Sequence, residues 1–333
     1  MPIQKTDPFA ATWGETLSFV SEEFGLSVKD IKRSVVPSWL GVPTEDQSSL
    51  DEAHRLLASA LHVPVDRLQG RIRPLVSKPG ACRCKGATPE KLTAQRPARC
   101  LAETLGRHLV SVFEKDALPV CDSASVIRDR LLAKTSEIKL ETLLRECWRM
   151  NVPVAHLAQA PKHAPHAMAV NVDGRCAIVL IRNKRHQGWH LFDLAHELGH
   201  IMLGHVPPGE VIVEGDGMRL EDAEERAAND FAMDLLAGTH MVGSDARSAE
   251  QLLARCELSS RRLHVDAQWL IVYSGFLTDK WGAAVSALNL GWPDDDAVGV
   301  IENVLTDQLF EREVTRTRRA LIEQMAVRPN TAA

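Results

Sequence analysis

Apolar positions recur at helical spacing through most of the chain. Trp13, Leu17, Val20 and Phe24 mark a first helix that Gly25 ends. A second fits Ser27–Ser34 with Ser27 as N-cap. Pro37 and Pro43 bracket a tight connection, and a third helix fits Ser49–His62 on the stripe Ala53, Leu56, Leu57, Ala60 and Leu61. A short helix begins within Val63–Leu68. From there to Arg107 the pattern is broken by Pro74, Pro79, Gly80, Gly86, Pro89 and Pro97, and Ser77–Ala87 reads as a loop or linker. Helices resume with Thr88 as N-cap and Pro89 at the first helical position. Pro97 is expected to limit that helix, with further helices at Cys100–Lys115, Ser125–Lys134 and Leu140–Met150.

The period changes at Val152. Ala167–Val172, then Asp173-Gly174, then Arg175–Ile181 predicts two strands joined by a two-residue turn. A helix from about Trp189 to Leu203 follows, then an irregular acidic loop, then a helix over Glu221–Ala237 with Gly238 at its C-terminal cap. The remainder reads as helices at Ser248–Cys256, Ala267–Leu277, Asp279–Leu288 and a long one from Asp294 to about Met325. The expected fold is α+β, predominantly helical, with a small sheet beside a central helix. Four segments are expected: a helical region over 1–76, a basic linker and helices over 77–124, a core domain over 125–240, and a helical C-terminal domain over 241–333.

Composition adds limits to this picture. The 333 residues are 45% hydrophobic and 25% charged, with net charge −5. That balance argues for a globular chain and against a general polyanion binder. Apolar runs such as Ala177–Ile181 fall far short of the roughly 20 residues of a membrane helix. The start MPIQKTDPFA lacks the basic and apolar regions of a secretory signal. Seven cysteines, an odd number, suit a reducing cytoplasm better than a disulfide framework.

The chemistry centres on His196-Glu197-Leu198-Gly199-His200. On a helix, His196 and His200 lie one turn apart and point the same way, so both imidazoles can hold one Zn²⁺. Glu197, beside the first ligand, can act as general base without binding the metal. The flanking residues Leu191, Phe192, Leu194, Ala195, Leu198, Ile201, Met202 and Leu203 are apolar almost all round. This helix is therefore expected to be buried, and its polar groups need partners. A catalytic site wants a third protein ligand. His205 does not fit the H-E-x-x-H-x-x-G-x-x-H spacing, because Gly204 directly precedes it. Carboxylates on the next helix are better placed: Glu221, Asp222, Glu224, Glu225, Asp230 and Asp234. Of these, Glu221 and Asp222 look like first-turn acids, while Glu225 shares a face with Ala228, Asn229, Ala232 and Leu235 or Leu236.

The run Trp189–His205 resembles the ImmA/IrrE family of metallo-endopeptidases, which has an aromatic and apolar stretch before H-E-L-G-H. The second helix, Glu225-Arg226-Ala227-Ala228-Asn229-Asp230-Phe231-Ala232, is similar to the family's E-x-x-A-N-x-F-A. The resemblance covers about Ser125 to Gly238. It implies a zincin-like core with His196, His200 and Glu225 on Zn²⁺ and Glu197 as base. It also implies a protein substrate, a helix-turn-helix repressor of the Xre/Cro type, whose cleavage switches on a stress or mobile-element operon. This chain departs from the family where it reads Leu235-Leu236-Ala237-Gly238-Thr239, without the proline often found there. Tyr273 and His264 are the candidates for stabilising the transition state. Substrate is expected to lie along the Arg175–Ile181 strand by strand addition.

Weaker signals remain. Cys82-Arg83-Cys84, with Cys100 and Cys121, fits structural zinc spacing poorly and reads as free thiols. Residues 66–107 carry ten Lys and Arg against three acids. The N-terminal helices resemble a worn Xre-type helix-turn-helix. The position of a recognition helix, however, holds Pro37-Ser38-Trp39-Leu40-Gly41, which would break it. DNA binding is thus the less favoured partner, although a transcriptional regulator or sensor built on a peptidase-like domain is the competing class.

Overall fold

The structure, a computed structural model, describes residues 12–41, 43, 46–69, 82–84, 89–208, 211–213, 223–238 and 246–328. The described residues open with α1 (Trp13–Phe24), then α2 (Val28–Asp30) running into a π turn at Ile31–Val35, then α3 (Gln47–Leu61) and α4 (Val65–Leu68). Strand β1 (Cys82–Cys84) precedes α5 (Pro89–Val110), α6 (Ala124–Leu132) and α7 (Leu140–Arg149). The central part comprises β2 (Val154–His156), β3 (Ala167–Val172), β4 (Arg175–Leu180), α8 (Gln187–Met202), β5 (Val211–Val213) and α9 (Ala223–Leu236). Helices α10 (Ala249–Leu263), α11 (Ala267–Thr278), α12 (Trp281–Gly291), α13 (Ala297–Phe310) and α14 (Arg316–Ala326) complete it. The fold is α+β and predominantly helical.

Local chemistry sets the expected elements. Thr12 and Glu15 form a reciprocal capping box at the start of α1, and Gly25 takes φ 69° at its end. Asp173 and Gly174 both adopt positive φ, 54° and 87°, as a type I′ hairpin turn requires. Asn171 Oδ1 accepts from the Gly174 amide at 2.8 Å and tightens that turn. The hairpin register pairs Ala167 with Leu180 and Val172 with Arg175.

The sheet runs β1-β5-β3-β4-β2. Every residue of β3 is buried, so both faces are covered. Helix α5 packs on one face, so close that a Cβ on Gly106 would lie 3.0 Å from the Val170 side chain. On the other face Asn171 donates to the Val206 carbonyl, just beyond α8, at 2.7 Å.

Several expectations are corrected. Residues 82–84 are not loop: they pair in parallel with Val211–Val213, which themselves replace part of the expected irregular acidic loop. Pro97 does not limit its helix but lies inside α5. A proline there costs about 3 kcal/mol. The fully buried Ala98, Leu101, Ala102, Leu105 and Leu109 offset it. The long terminal helix is two. Thr315 caps α14 by accepting from the Arg318 amide, and the Arg312 and Arg319 guanidinium groups close α13 on the Gln308 and Leu309 carbonyls. Finally, β4 cannot take substrate by strand addition, because β3 and β2 flank it on both sides.

Asp266 caps the start of helix α11, its carboxylate accepting from the Gln268 amide at 2.8 Å. Burial, with Glu137 and Asp295 nearby, pushes its carboxyl up to about 6 despite that bond. The unfolded chain ionises near 3.8. The protonated acid therefore stabilises the fold fully below that value, and the contribution is lost as pH rises through about 6. The span is at most about 3 kcal/mol. Asp266→Asn keeps the cap and cannot ionise. It is expected to raise the unfolding temperature at pH 7 and to match the parent at pH 4; equal unfolding curves at pH 7 would refute the assignment.

Candidate metal centre

The motif helix is α8, buried from His190 to Ile201 except at Phe192. One turn of rise brings His196 and His200 onto one face, where their Nε2 atoms stand 3.0 Å apart. Helix α9 crosses close against this face. A Cβ on Gly199 would lie 3.1 Å from the Ala228 carbonyl oxygen and 3.2 Å from the Phe231 Cβ. The glycine inside H-E-L-G-H thus admits the second helix, and that approach delivers Glu225. Its carboxylate oxygens lie 3.4 Å from His196 Nε2 and 3.5 Å from His200 Nε2. Among the described residues these three form the group able to hold a metal ion.

The outer sides of both rings are also held. His196 Nδ1 donates to Asn229 Oδ1 at 2.9 Å, and His200 Nδ1 shares a hydrogen bond with His205 Nδ1 at 3.0 Å. On a neutral His196 ring, donation from Nδ1 leaves the Nε2 lone pair directed inward. Burial holds the His200 imidazole below its ordinary value against the pull of Glu225, which keeps it neutral. Burial also opposes ionisation of Glu225, but contacts with both imidazoles outweigh that cost and hold its carboxyl well below the usual range. Two imidazole nitrogens and a carboxylate thus face one another at 3.0–3.5 Å. Ligands at about 2.0–2.1 Å from one tetrahedral ion are themselves about 3.4 Å apart. The donor set fits a divalent cation in both spacing and charge.

Glu197 is fully buried on the same turn of α8. Tyr273 is on α11 and lines a cavity whose wall includes Phe192. The Phe192 ring lies 6.0 Å from that of His196. His264 is not drawn into this arrangement: it caps α10 in a left-handed conformation, and its ring bonds the Ser136 carbonyl. Of the described cysteines, Cys100, Cys121, Cys147, Cys176 and Cys256 are free thiols.

Sequence reasoning missed the roles of Asn229 and His205. A signal for the first was present: Asn229 follows Glu225 by four residues, so a ligand face at 225 carries 229 with it. Asn229→Ala favours the helix and frees the His196 ring. It is expected to weaken metal affinity by about 10–100-fold with the fold retained, measured by competition with a chelator.

A family model described as the IrrE N-terminal-like domain, Peptidase M78, matches residues 156–258. This segment is similar to M78 peptidase-family domains. No curated protein and no solved structure matches the chain. The match spans α8 and α9, so the trio His196, His200 and Glu225, which could hold a metal ion, lies within the matched segment. No helix among the described residues is long and apolar enough to cross a membrane.

Proposed function

We propose that the chain is a zinc-dependent endopeptidase that works in the cytoplasm on a specific regulatory protein. The observation that carries this is the convergence of His196, His200 and Glu225 inside an M78-type domain, with Glu197 on the same buried turn. The three side chains would hold Zn²⁺, and Glu197, next to them and outside the set, is the base. When bound, the ion supplies Lewis-acid polarisation of the scissile carbonyl and acidifies water.

The protein's own groups do the rest. Glu197 accepts a proton from the attacking water and delivers it to the departing amine, so one carboxylate serves as base and then as acid. Asn229 and His205 fix the two imidazoles. Burial pushes the Tyr273 phenol up, so it keeps its proton at neutral pH and is the candidate donor to the developing oxyanion.

The substrate that best suits a selective enzyme of this kind is a helix-turn-helix repressor of the Xre/Cro type, cleaved to relieve repression. The test incubates zinc-loaded protein with the repressor encoded nearest to its gene, follows fragments by mass spectrometry, and runs a gel shift on the adjoining promoter. Cleavage at a defined bond supports the reading. A shift of DNA by this protein with the repressor left intact favours a regulator or sensor instead.

A further inference from the structure

A cavity of about 210 Å³ lies along the same helix as the histidine pair. Its walls are Trp189 and Phe192 from α8, Trp269, Tyr273 and Phe276 from α11, and Trp281 from α12. These rings brace one another. Trp189 stacks on Trp281, and Trp269 on Tyr273, each with centroids 5.4 Å apart. The charged lining residues form an internal ion pair, Arg182 to Asp193 at 2.9 Å, and the Arg182 guanidinium sits 4.9 Å over the Trp189 ring. With those charges matched to each other, the cavity offers little to an ionic guest and much to an apolar one. The seam between α8 and α11 is tight: a Cβ on Gly188 would fall 2.5 Å from the Gln268 backbone. The walls are therefore set before any ligand arrives, which lowers the cost of binding.

Position ties this cavity to the metal centre. Trp189, Phe192 and His196 are spaced to share one helix face. Along the axis, Phe192 and Trp189 stand about 6 Å and about 10 Å from His196. An extended peptide advances about 3.3–3.6 Å per residue. A side chain entering the cavity thus belongs to a residue within about three positions of a bond held at the metal. Size narrows the guest further. An engineered apolar cavity of about 150 Å³ takes benzene, so this one accommodates a phenyl or indole ring.

We propose that this cavity is a side-chain recognition subsite that selects an aromatic or large aliphatic residue close to the cleaved bond. The inference rests on the peptidase reading above and gives it a substrate class. Trp269, Tyr273, Phe276 and Trp281 lie beyond residue 258, outside the family-matched segment. The selectivity therefore belongs to this chain's own C-terminal helices.

Two measurements on the full-length, zinc-loaded protein test it. Saturation-transfer NMR with N-acetyl-phenylalaninamide and its aspartyl counterpart reads the cavity without requiring turnover. The phenylalanyl probe is expected to bind and the aspartyl probe not. Val272→Trp, which fills the cavity, is expected to weaken binding about tenfold. Phe276→Ala, at a half-exposed wall position, is the second variant should the first misfold, and it is expected to shift preference toward the indole probe N-acetyl-tryptophanamide. Equal binding of the phenylalanyl and aspartyl probes overturns the subsite. The second measurement profiles cleavage of a mixed peptide library, where aromatic or leucyl residues are expected at one fixed position near the cut. Cleavage with no such preference also overturns it and leaves the peptidase standing. Binding of the phenylalanyl probe with no peptide cut in any mixture supports the cavity and removes the peptidase reading.

Discussion

Replacing Glu197 with Gln is expected to lower the rate of peptide hydrolysis by about 10²–10⁴-fold while metal content stays at the parent level. The substitution preserves side-chain shape and removes the ability to accept a proton. Glu197 is fully buried on α8, so bulk water cannot easily take over its role. The three metal-facing groups are separate side chains, and Asn229 and His205 orient the rings independently of Glu197. Zinc per chain, unfolding temperature and cleavage rate should be measured on one preparation. Unchanged hydrolysis with zinc bound means that another group moves the proton. Lost hydrolysis with lost zinc means that Glu197 is a ligand and that the division of labour among the four residues is wrong.

The parts of the site legible in the chain were those written into local geometry. Positions 196 and 200 share a face on any helix, and Asp173-Gly174 forces a two-residue turn because both residues must take positive φ. Glu225 was recoverable because its neighbours at 228, 229 and 232 mark an inward face, and those three positions are buried. What escaped was set by tertiary contact. Three-residue strands carry too few positions to show a period, so Cys82–Cys84 and Val211–Val213 became strands only through the sheet that pairs them. Strand order is equally invisible locally. Nothing along Arg175–Leu180 indicates that β2 would cover its second edge. Pro97 obeyed packing over propensity, and the break before Thr315 followed from arginine side chains reaching carbonyls at the end of the preceding helix. The aromatic cavity joins residues 189 and 281, which no spacing argument connects.

Glu225→Ala is expected to be the more damaging change at the level of the metal. Removing a carboxylate that lies 3.4 and 3.5 Å from the two Nε2 atoms leaves two neutral imidazoles as the whole donor set. It also removes the negative charge that offsets the cation. Loss of an outer-shell partner alone costs about 10–100-fold in affinity, so loss of this direct contact should exceed about 100-fold. The consequence for stability follows by linkage. Zinc that binds the folded chain raises its stability as RT ln(1 + [Zn]/Kd), about 2.7 kcal/mol at 100 times Kd. The parent should therefore unfold at a higher temperature with zinc than with a chelator, and Glu225→Ala should show the same temperature in both. The metal-free variant should still fold and lose about 1–3 kcal/mol against the metal-free parent, because it forgoes the contacts of Glu225 with both imidazoles but opens little core. Stoichiometric zinc in Glu225→Ala, or a zinc-dependent rise as large as the parent's, would remove Glu225 from the ligand set and with it the three-ligand centre. A variant that fails to fold without zinc while the metal-free parent folds would instead assign Glu225 a role in holding α9 against α8. The two outcomes separate in one pair of melting curves, since the first appears only when zinc is present and the second in both conditions.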